Sequence, residues 1–136
     1  MNSLRLGIVG LGNMGAQHYR SITQQFVKRV EVTAVCDLDP NRLGNVSPEI
    51  ACFTDSLEMI ESGLIEALLI ATPHYDHSII GEAALKNGLH LLVEKPIAVH
   101  KNACQELIKA YEQRPRKEQV FCAMFNQRTD PRYQRI

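Results

Sequence analysis

Several features that direct a chain to other classes of protein are absent from this 136-residue sequence. Lys and Arg together number 15, as do Asp and Glu, so the chain has no excess charge with which to bind nucleic acid or an anionic membrane. No apolar run reaches the ~20 residues that span a bilayer, and glycines interrupt the first run before any secretory cleavage site. These absences predict a soluble, cytoplasmic protein with no nucleic-acid or membrane partner.

The sequence also lacks tryptophan and any Cys-x-x-Cys pair. Its four cysteines lie far apart in the chain, at Cys36, Cys52, Cys104 and Cys122. Such spacing favours buried free thiols over disulfides. His74 and His77 leave a zinc site conceivable, but no cysteine lies at ligand spacing from them. We therefore expect no metal.

Short apolar runs alternate with segments of helical periodicity along the chain. The runs predict strands at residues 6–9, 30–36, 48–53, 67–71, 90–93 and 119–125. Alternation with short connections is typical of a parallel sheet that carries helices on both faces and right-handed crossovers. We therefore predict one α/β domain of the Rossmann type, a doubly wound parallel sheet of about six strands in the order 3-2-1-4-5-6.

The predicted helices each turn a set of apolar residues inward. In the first helix these residues are Gly15, Tyr19, Ile22 and Phe26. The cations Lys28-Arg29 are expected to end that helix. A short second helix is expected to begin after Thr54 or Asp55 and to turn Leu57 and Ile60 inward.

The first strand runs directly into a glycine-rich turn and then into a helix. Its residues are Gly10-Leu11-Gly12-Asn13-Met14-Gly15. In such a turn Gly10 permits the tight bend, Gly12 lets the backbone approach a pyrophosphate, and Gly15 lets the helix pack close to the strand. The free N–H groups and the dipole of the helix N-terminus then favour a phosphate.

An acidic residue ends the second strand. Asp37 lies 22 residues beyond Gly15, close to the spacing of about 20 expected for the acid that binds an adenosine ribose. A carboxylate suits two free hydroxyls and repels a 2′-phosphate, which favours NAD over NADP, although Arg42 keeps NADP open. Alternatively, Asp37 only begins the turn that continues through Asp39 and Pro40.

Two further turns are expected to lie beside the glycine turn. Residues 71–77 follow the fourth predicted strand, and Glu94-Lys95-Pro96 follows the fifth. In a sheet of this order the carboxyl ends of strands one, four and five are neighbours, and the crevice lies where the strand order reverses. The three turns should therefore line one cleft.

The combination of these motifs resembles one family of oxidoreductases. Its motifs are the glycine turn, Ala71-Thr72-Pro73-His74-Tyr75-Asp76-His77, Glu94-Lys95-Pro96 and Asn126-Gln127-Arg128. They resemble the nucleotide-binding half of the glucose-fructose oxidoreductase, inositol dehydrogenase and rhizopine-catabolism (Gfo/Idh/MocA) family. The resemblance implies an NAD(P)-dependent enzyme that transfers hydride between nicotinamide and a secondary alcohol or ketone of a sugar, polyol or related small molecule.

The resemblance also assigns residues to roles. Lys95 is the expected catalytic residue, because a lysine at this position reaches the substrate oxygen beside the nicotinamide, where it can polarise a carbonyl and assist proton transfer. Glu94 is expected to orient it, and Pro96 to stiffen the turn, with a cis peptide before it. His77 is expected to contact the cofactor or to shape its loop. The expected cofactor-binding residues are Gly10, Gly12, Asn13, Met14, Gly15, Asp37, Ala71, Thr72, Pro73, His77 and Glu94.

The same resemblance implies a larger protein. Residues 1–126 correspond to the NAD(P)-binding domain, and residues 127–136, with a helix start at Thr129-Asp130-Pro131, correspond to the crossover into a C-terminal substrate and oligomerisation domain. The chain by itself is therefore expected to turn over nothing, and a homo-oligomer is expected only with that second domain. One departure is His100, which stands where the family has Ser or Thr as a helix cap.

Two other classes of protein remain open at this point. A non-catalytic regulatory module could hold a dinucleotide at the same turns, although an intact Lys95 argues against it. A methyltransferase also uses a glycine turn and an acid after the second strand, but it has no use for Glu94-Lys95-Pro96.

Overall fold

Six strands form one parallel sheet in the computed structural model, which describes residues 3–134. The strands are β1 (Leu4–Val9), β2 (Val30–Cys36), β3 (Ala51–Phe53), β4 (Ala67–Ile70), β5 (His90–Val93) and β6 (Phe121–Ala123). Their order across the sheet is β3-β2-β1-β4-β5-β6, and every neighbouring pair is parallel. The predicted fold class and strand order are confirmed.

Within residues 3–134, four α-helices and two short 3₁₀ segments connect the strands, and a third 3₁₀ segment follows β6. The helices are α1 (Asn13–Thr23), α2 (Ser56–Glu61), α3 (His77–Lys86) and α4 (Lys101–Glu112). The 3₁₀ segments are Pro40–Leu43, His74–Asp76 and Asn126–Arg128. None of the helices within residues 3–134 has the length and apolar character needed to cross a membrane.

The two faces of the sheet carry separate apolar cores. Met59 of α2, Leu85 of α3 and Leu107 of α4 pack with β4 and β5 in the larger core. Tyr19 and Ile22 of α1 pack against the smaller core on the other face. Helices α1 and α3 therefore lie on opposite faces of the sheet.

Two predictions about inward-facing residues were wrong. The α1 helix ends at Thr23, because Gln25 adopts a left-handed φ of 61° and turns the chain away, which leaves Phe26 77% exposed. Lys28-Arg29 therefore does not end the helix. In α2 the side chain of Asp55 caps the helix, and Leu57 is half exposed while Met59 and Ile60 are buried.

The ends of several predicted elements also differ from the structure. The strands β3 and β6 have three residues each, shorter than predicted. The helix start expected at Thr129-Asp130-Pro131 stays a prediction: the N–H of Gln134 donates to the carbonyl of Asp130 at 3.2 Å, as in a first helical turn, and the residues that would continue a helix lie outside the described range. Asp130 also binds the backbone N–H and the guanidinium of Arg132, so its carboxylate is engaged in a local turn.

The prediction that the cysteines are buried holds only in part. Cys36 is buried at the end of β2, but Cys52 and Cys122 are exposed and Cys104 is partly exposed. Cys52 and Cys122 lie on β3 and β6, which are the two edges of the sheet, and the apolar pattern of a strand does not reveal that it lies at an edge. All four thiols are free.

Alkylation should separate these thiols. Burial, followed by the nearby Asp37 carboxylate, raises the pKa of Cys36 from its ordinary 9.0 to about 11. Because only the thiolate reacts, iodoacetamide at about pH 8 should modify Cys52 and Cys122 and leave Cys36 unmodified until the chain is denatured. Peptide mass spectrometry measures this order, and modification of Cys36 at the rate of Cys52 in the native chain would contradict it.

Candidate functional site

Two glycines of the first turn are fixed by close backbone packing. Gly10 has a φ of 88°, and a Cβ atom added there would lie 2.7 Å from the carbonyl oxygen of Ala71. A Cβ added at Gly15 would lie 1.7 Å from the carbonyl oxygen of Gly10. These glycines permit the bend and the close approach of α1 to the sheet, as predicted.

Gly12 differs from the other two because a Cβ added there would meet no atom closer than ordinary contact distance. The nearest group to a Cβ added there is the Nη1 of Arg42, at 3.5 Å. Gly12 caps α1, whose N-terminus has no side-chain cap bond and no acid in its first turn, and Asn13 and Met14 are exposed beside it. A helix N-terminus of this kind is suited to an anion that approaches the backbone closely.

Asp37 is tied directly to the glycine turn. Its carboxylate is buried, and its Oδ2 accepts a hydrogen bond from the N–H of Leu11 at 2.7 Å. Its Oδ1 accepts from the N–H of Asp39 at 2.9 Å, so the turn-forming role considered above does occur. Each carboxylate oxygen can accept a further hydrogen bond, so a ribose hydroxyl can still bind there.

Arg42 lies against two carboxylates at the mouth of this region. Its Nη1 is 3.5 Å from Asp37 Oδ2, and its Nε is 3.8 Å from Asp39 Oδ2. Half of the Arg42 side chain is exposed, so these ion pairs are partly screened by water. Since Arg42 and Asp37 both line the same cleft, a ligand bound to Asp37 would also lie near the Arg42 guanidinium.

A cleft of about 440 Å³ opens between the ends of β1, β2 and β4. Asp37 and Thr72 line it together with two apolar residues that the sequence analysis did not assign to the site, Leu38 and Ile79. Leu38 is 85% exposed and Ile79 is 71% exposed. The apolar rims can sandwich a flat ring. The sequence contained one signal for the exposure of Ile79. Ile79 and Ile80 are adjacent in a helix, so they cannot both face the core.

The loop after β4 contributes its backbone and one unpaired hydroxyl. Ala71 packs under Gly10, and Pro73 is exposed beside the cleft. The Oγ1 of Thr72 is buried and has no hydrogen-bond partner within residues 3–134. A buried hydroxyl without a partner is a candidate to bind a ligand group.

His77 is completely buried at the start of α3. Its Nδ1 lies 2.9 Å from the carbonyl oxygen of Pro96, and its Nε2 lies 3.0 Å from that of Thr72. Of the two roles expected for His77, this geometry favours shaping the loop, since the side chain is enclosed between two backbone carbonyls.

The turn after β5 holds one buried and one exposed charged residue. Glu94 is 6% exposed, and its Oε1 lies 2.6 Å from the Nε2 of His18 on α1. Lys95 is exposed, and the peptide bond between Lys95 and Pro96 is cis, as anticipated. Glu94, which precedes Lys95, therefore contacts α1, the helix that begins at the glycine turn.

The three predicted turns lie at one edge of the sheet. The N–H of Ala71 donates to the carbonyl of Val9 at 2.8 Å, and the N–H of Glu94 donates to that of Ile70 at 2.9 Å. These bonds align the ends of β1, β4 and β5 side by side. The structure thus brings together the glycine turn, the loop after β4 and the Glu94-Lys95-Pro96 turn.

Of the remaining histidines, His90 and His100 lie outside these three turns, and His74 lies in the loop after β4. His90 accepts a hydrogen bond from the N–H of Val120, and His100 begins α4 without a side-chain cap bond. His74 is exposed and stacks edge-on against His77. Among residues 3–134, no group of three or more His, Cys, Asp or Glu side chains could hold a metal ion.

The strand order, the glycine turn and the acid after β2 together define a Rossmann-type nucleotide-binding domain. Residues 4–122 match the model of the Gfo/Idh/MocA family, described as an oxidoreductase family with an NAD-binding Rossmann fold. The chain belongs to this family.

Similar proteins are named as enzymes of polyols and sugars. The chain is 32% identical over 132 residues to an inositol 2-dehydrogenase of Rubrobacter xylanophilus. This match covers 96% of the chain and 37% of the relative. It is 31% identical over 109 residues to a 2,7-anhydro-N-acetylneuraminate hydratase of Escherichia coli, covering 79% of the chain and 28% of that protein.

A solved structure with a ligand shows the same fold. It is the scyllo-inositol dehydrogenase of Lactobacillus casei with bound NAD(H) and scyllo-inositol, 26% identical with a TM-score of 0.90. The match covers 98% of the chain and 39% of that structure. The chain thus spans about two fifths or less of the length of these relatives.

Proposed function

We propose that this chain is the NAD-binding part of an oxidoreductase that interconverts a secondary alcohol and a ketone on a sugar, polyol or related small molecule. The observation that carries the proposal is that three turns lie side by side at one edge of the sheet. The N-terminus of α1 begins at the first turn, the loop after β4 lines the cleft together with Asp37, and the turn after β5 carries Lys95 next to them. Family membership and the names of the inositol dehydrogenases support the reaction class.

The residues at the cleft fit a dinucleotide. Because Gly12 has no side chain and Asn13 and Met14 are exposed, a pyrophosphate could lie against the N–H groups of these three residues. Asp37 would bind the adenosine ribose, and the exposed Leu38 and Ile79 would sandwich the adenine. The unpaired hydroxyl of Thr72 lies in the same wall. When bound, NAD supplies a carbon that accepts or donates hydride.

Lys95 is the proposed catalytic residue. Its ammonium would donate a hydrogen bond to the substrate oxygen, which stabilises negative charge that develops on that oxygen in the transition state. Glu94, whose Oε2 accepts the Lys95 N–H at 3.3 Å, would keep the turn in place. A general acid or base outside these residues would complete the proton transfer.

The remainder of the proposal concerns a longer polypeptide. Residues 1–126 would form the dinucleotide-binding domain, and residues 127–136 would begin the passage to a second domain that binds the substrate and forms an oligomer. The chain alone would bind dinucleotide weakly and reduce no NAD. The cytoplasmic location expected from the sequence stays a prediction.

Calorimetry with three ligands tests the proposal. NAD should bind to the chain, and S-adenosylmethionine should not, because a methyltransferase would not need the Glu94-Lys95-Pro96 turn. NADP should bind about tenfold more weakly than NAD, since the buried Asp37 carboxylate repels the 2′-phosphate. Asp37→Asn removes this charge and should bring the affinities for NAD and NADP closer together. The carboxylate then no longer repels the 2′-phosphate, and it no longer neutralises part of the positive charge of Arg42.

Three outcomes would count against this proposal. Binding of S-adenosylmethionine without binding of NAD would favour the methyltransferase. Equal affinity for NAD and NADP in the unaltered chain would mean that Asp37 does not discriminate between them. Substrate-dependent reduction of NAD by the isolated chain would contradict the need for a second domain.

A further inference from the structure

The position of Lys95 depends on the backbone that carries it. Its side chain is exposed, and its ammonium takes part in no hydrogen bond or ion pair found within residues 3–134. The four-carbon side chain is flexible, so packing does not fix it. What decides where the ammonium can reach is the conformation of the turn formed by Glu94, Lys95 and Pro96.

One side of this turn is held by a histidine from α1. The Nε2 of His18 lies 2.6 Å from Glu94 Oε1, and both side chains are mostly buried, at 20% and 8% exposed. The other oxygen of Glu94, Oε2, accepts the N–H of Lys95. His18 therefore fixes the carboxylate that in turn fixes the amide of Lys95. The helix that carries His18 begins at the glycine turn, five residues earlier at Asn13.

The other side of the turn is held by a histidine from α3. The fully buried His77 contacts the carbonyl oxygen of Pro96 through Nδ1, at 2.9 Å. Its Nε2 contacts the carbonyl of Thr72, at 3.0 Å, in the loop that lines the cleft. His77 thus joins the loop after β4 to the turn after β5.

We propose that His18 and His77 are positioning residues that hold the Glu94-Lys95-Pro96 turn from opposite faces of the sheet and so direct Lys95 to the nicotinamide end of the site. Each histidine is also attached to the part of the domain that binds the rest of the dinucleotide, His18 through α1 and His77 through Thr72. This inference rests on the proposed function, because it assumes a dinucleotide in the cleft. A displacement of about 1 Å in such a group is enough to cost activity.

Paired substitutions separate the one contact of His18 and the two contacts of His77 from simple packing. His18→Gln keeps a donor near the position of Nε2, whereas His18→Leu removes it. His77→Asn keeps a donor near Nδ1, toward Pro96, whereas His77→Gln keeps one near Nε2, toward Thr72. The control is His100→Gln, because His100 is exposed and makes no cap bond.

The experiment follows backbone amide resonances of the labelled chain during titration with NAD and with ADP-ribose, which lacks nicotinamide. In the unaltered chain and the control, NAD should shift the Lys95 resonance more than ADP-ribose does. In His18→Leu and His77→Gln that extra shift should be lost, while both ligands still shift Leu38. His18→Gln and His77→Asn should restore it. Should the leucine variant not fold, the two polar substitutions of His77 decide the question.

The outcomes distinguish this inference from the function on which it rests. If neither ligand shifts Gly12 or Leu38 in the unaltered chain, the proposed function fails first. If both shift but His18→Leu and His77→Gln keep the full extra shift at Lys95, the histidines do not position it. An unaltered chain in which NAD shifts Leu38 and not Lys95 overturns the inference as well.

Discussion

Gly12→Ala is expected to weaken NAD binding by about 10- to 100-fold, equivalent to about 1–3 kcal/mol, without unfolding the chain. An added methyl at Gly12 meets no protein atom closer than 3.5 Å, so the fold has room for it. The same methyl would occupy the space that the proposed pyrophosphate needs. Calorimetry gives the dissociation constant, and thermal unfolding gives the stability.

Two other glycines provide the matched comparison. Gly44→Ala should change neither quantity, because Gly44 has an ordinary helical φ of −64° and its added Cβ would lie 3.5 Å from the nearest atom. Gly15→Ala should lower the free energy of unfolding by about 1–3 kcal/mol, since its Cβ would collide with the Gly10 carbonyl. It should also lower the affinity for NAD. If Gly12→Ala kept the affinity of the unaltered chain, the pyrophosphate could not lie over this turn.

In the longer enzyme proposed above, Lys95→Ala should lower kcat by about 10²- to 10⁴-fold, the usual contribution of an acid or base group in contact with the reacting atoms. Because Lys95 is exposed and its ammonium has no partner within residues 3–134, the substitution should leave the stability of the domain unchanged. Steady-state rates with NAD and the alcohol substrate of that enzyme measure the effect.

Two further variants sharpen this test. Lys95→Arg should not restore the rate, because a planar guanidinium cannot reproduce the compact ammonium and releases no proton near neutral pH. Lys101→Ala, at the exposed first residue of α4, is the control and should be active. An unchanged rate in the Lys95→Ala enzyme would mean that Lys95 is not the catalytic residue.

The sheet and the meeting of its turns could be predicted because they depend on signals that are local in sequence. The run Ala67–Ile70 is apolar without interruption, and all four residues are buried as expected of a central strand. Gly10 and Gly15 were assigned their tasks from spacing alone, and both would clash if they carried a side chain. The strand order then follows from the rules that govern parallel crossovers.

The rest could not be predicted, because part of it depends on contacts between distant parts of the chain and part on the detailed geometry of local turns. His18 and Glu94 are 76 residues apart, and nothing near either one shows that they meet. The exposure of Phe26 depends on the left-handed turn at Gln25, a residue with no special preference for that conformation. Likewise, Leu38 lies in the cleft wall because of the turn that Asp37 and Asp39 form.

A crystal structure of the chain with NAD is the most direct test of the central claim, which is that one dinucleotide extends from Asp37 across Gly12 to Lys95. The account predicts the adenosine between Leu38 and Ile79, the diphosphate against the amides that begin α1, and the nicotinamide beside the Glu94-Lys95-Pro96 turn. A dinucleotide bound elsewhere on the sheet, or one whose nicotinamide lies away from Lys95, would contradict it.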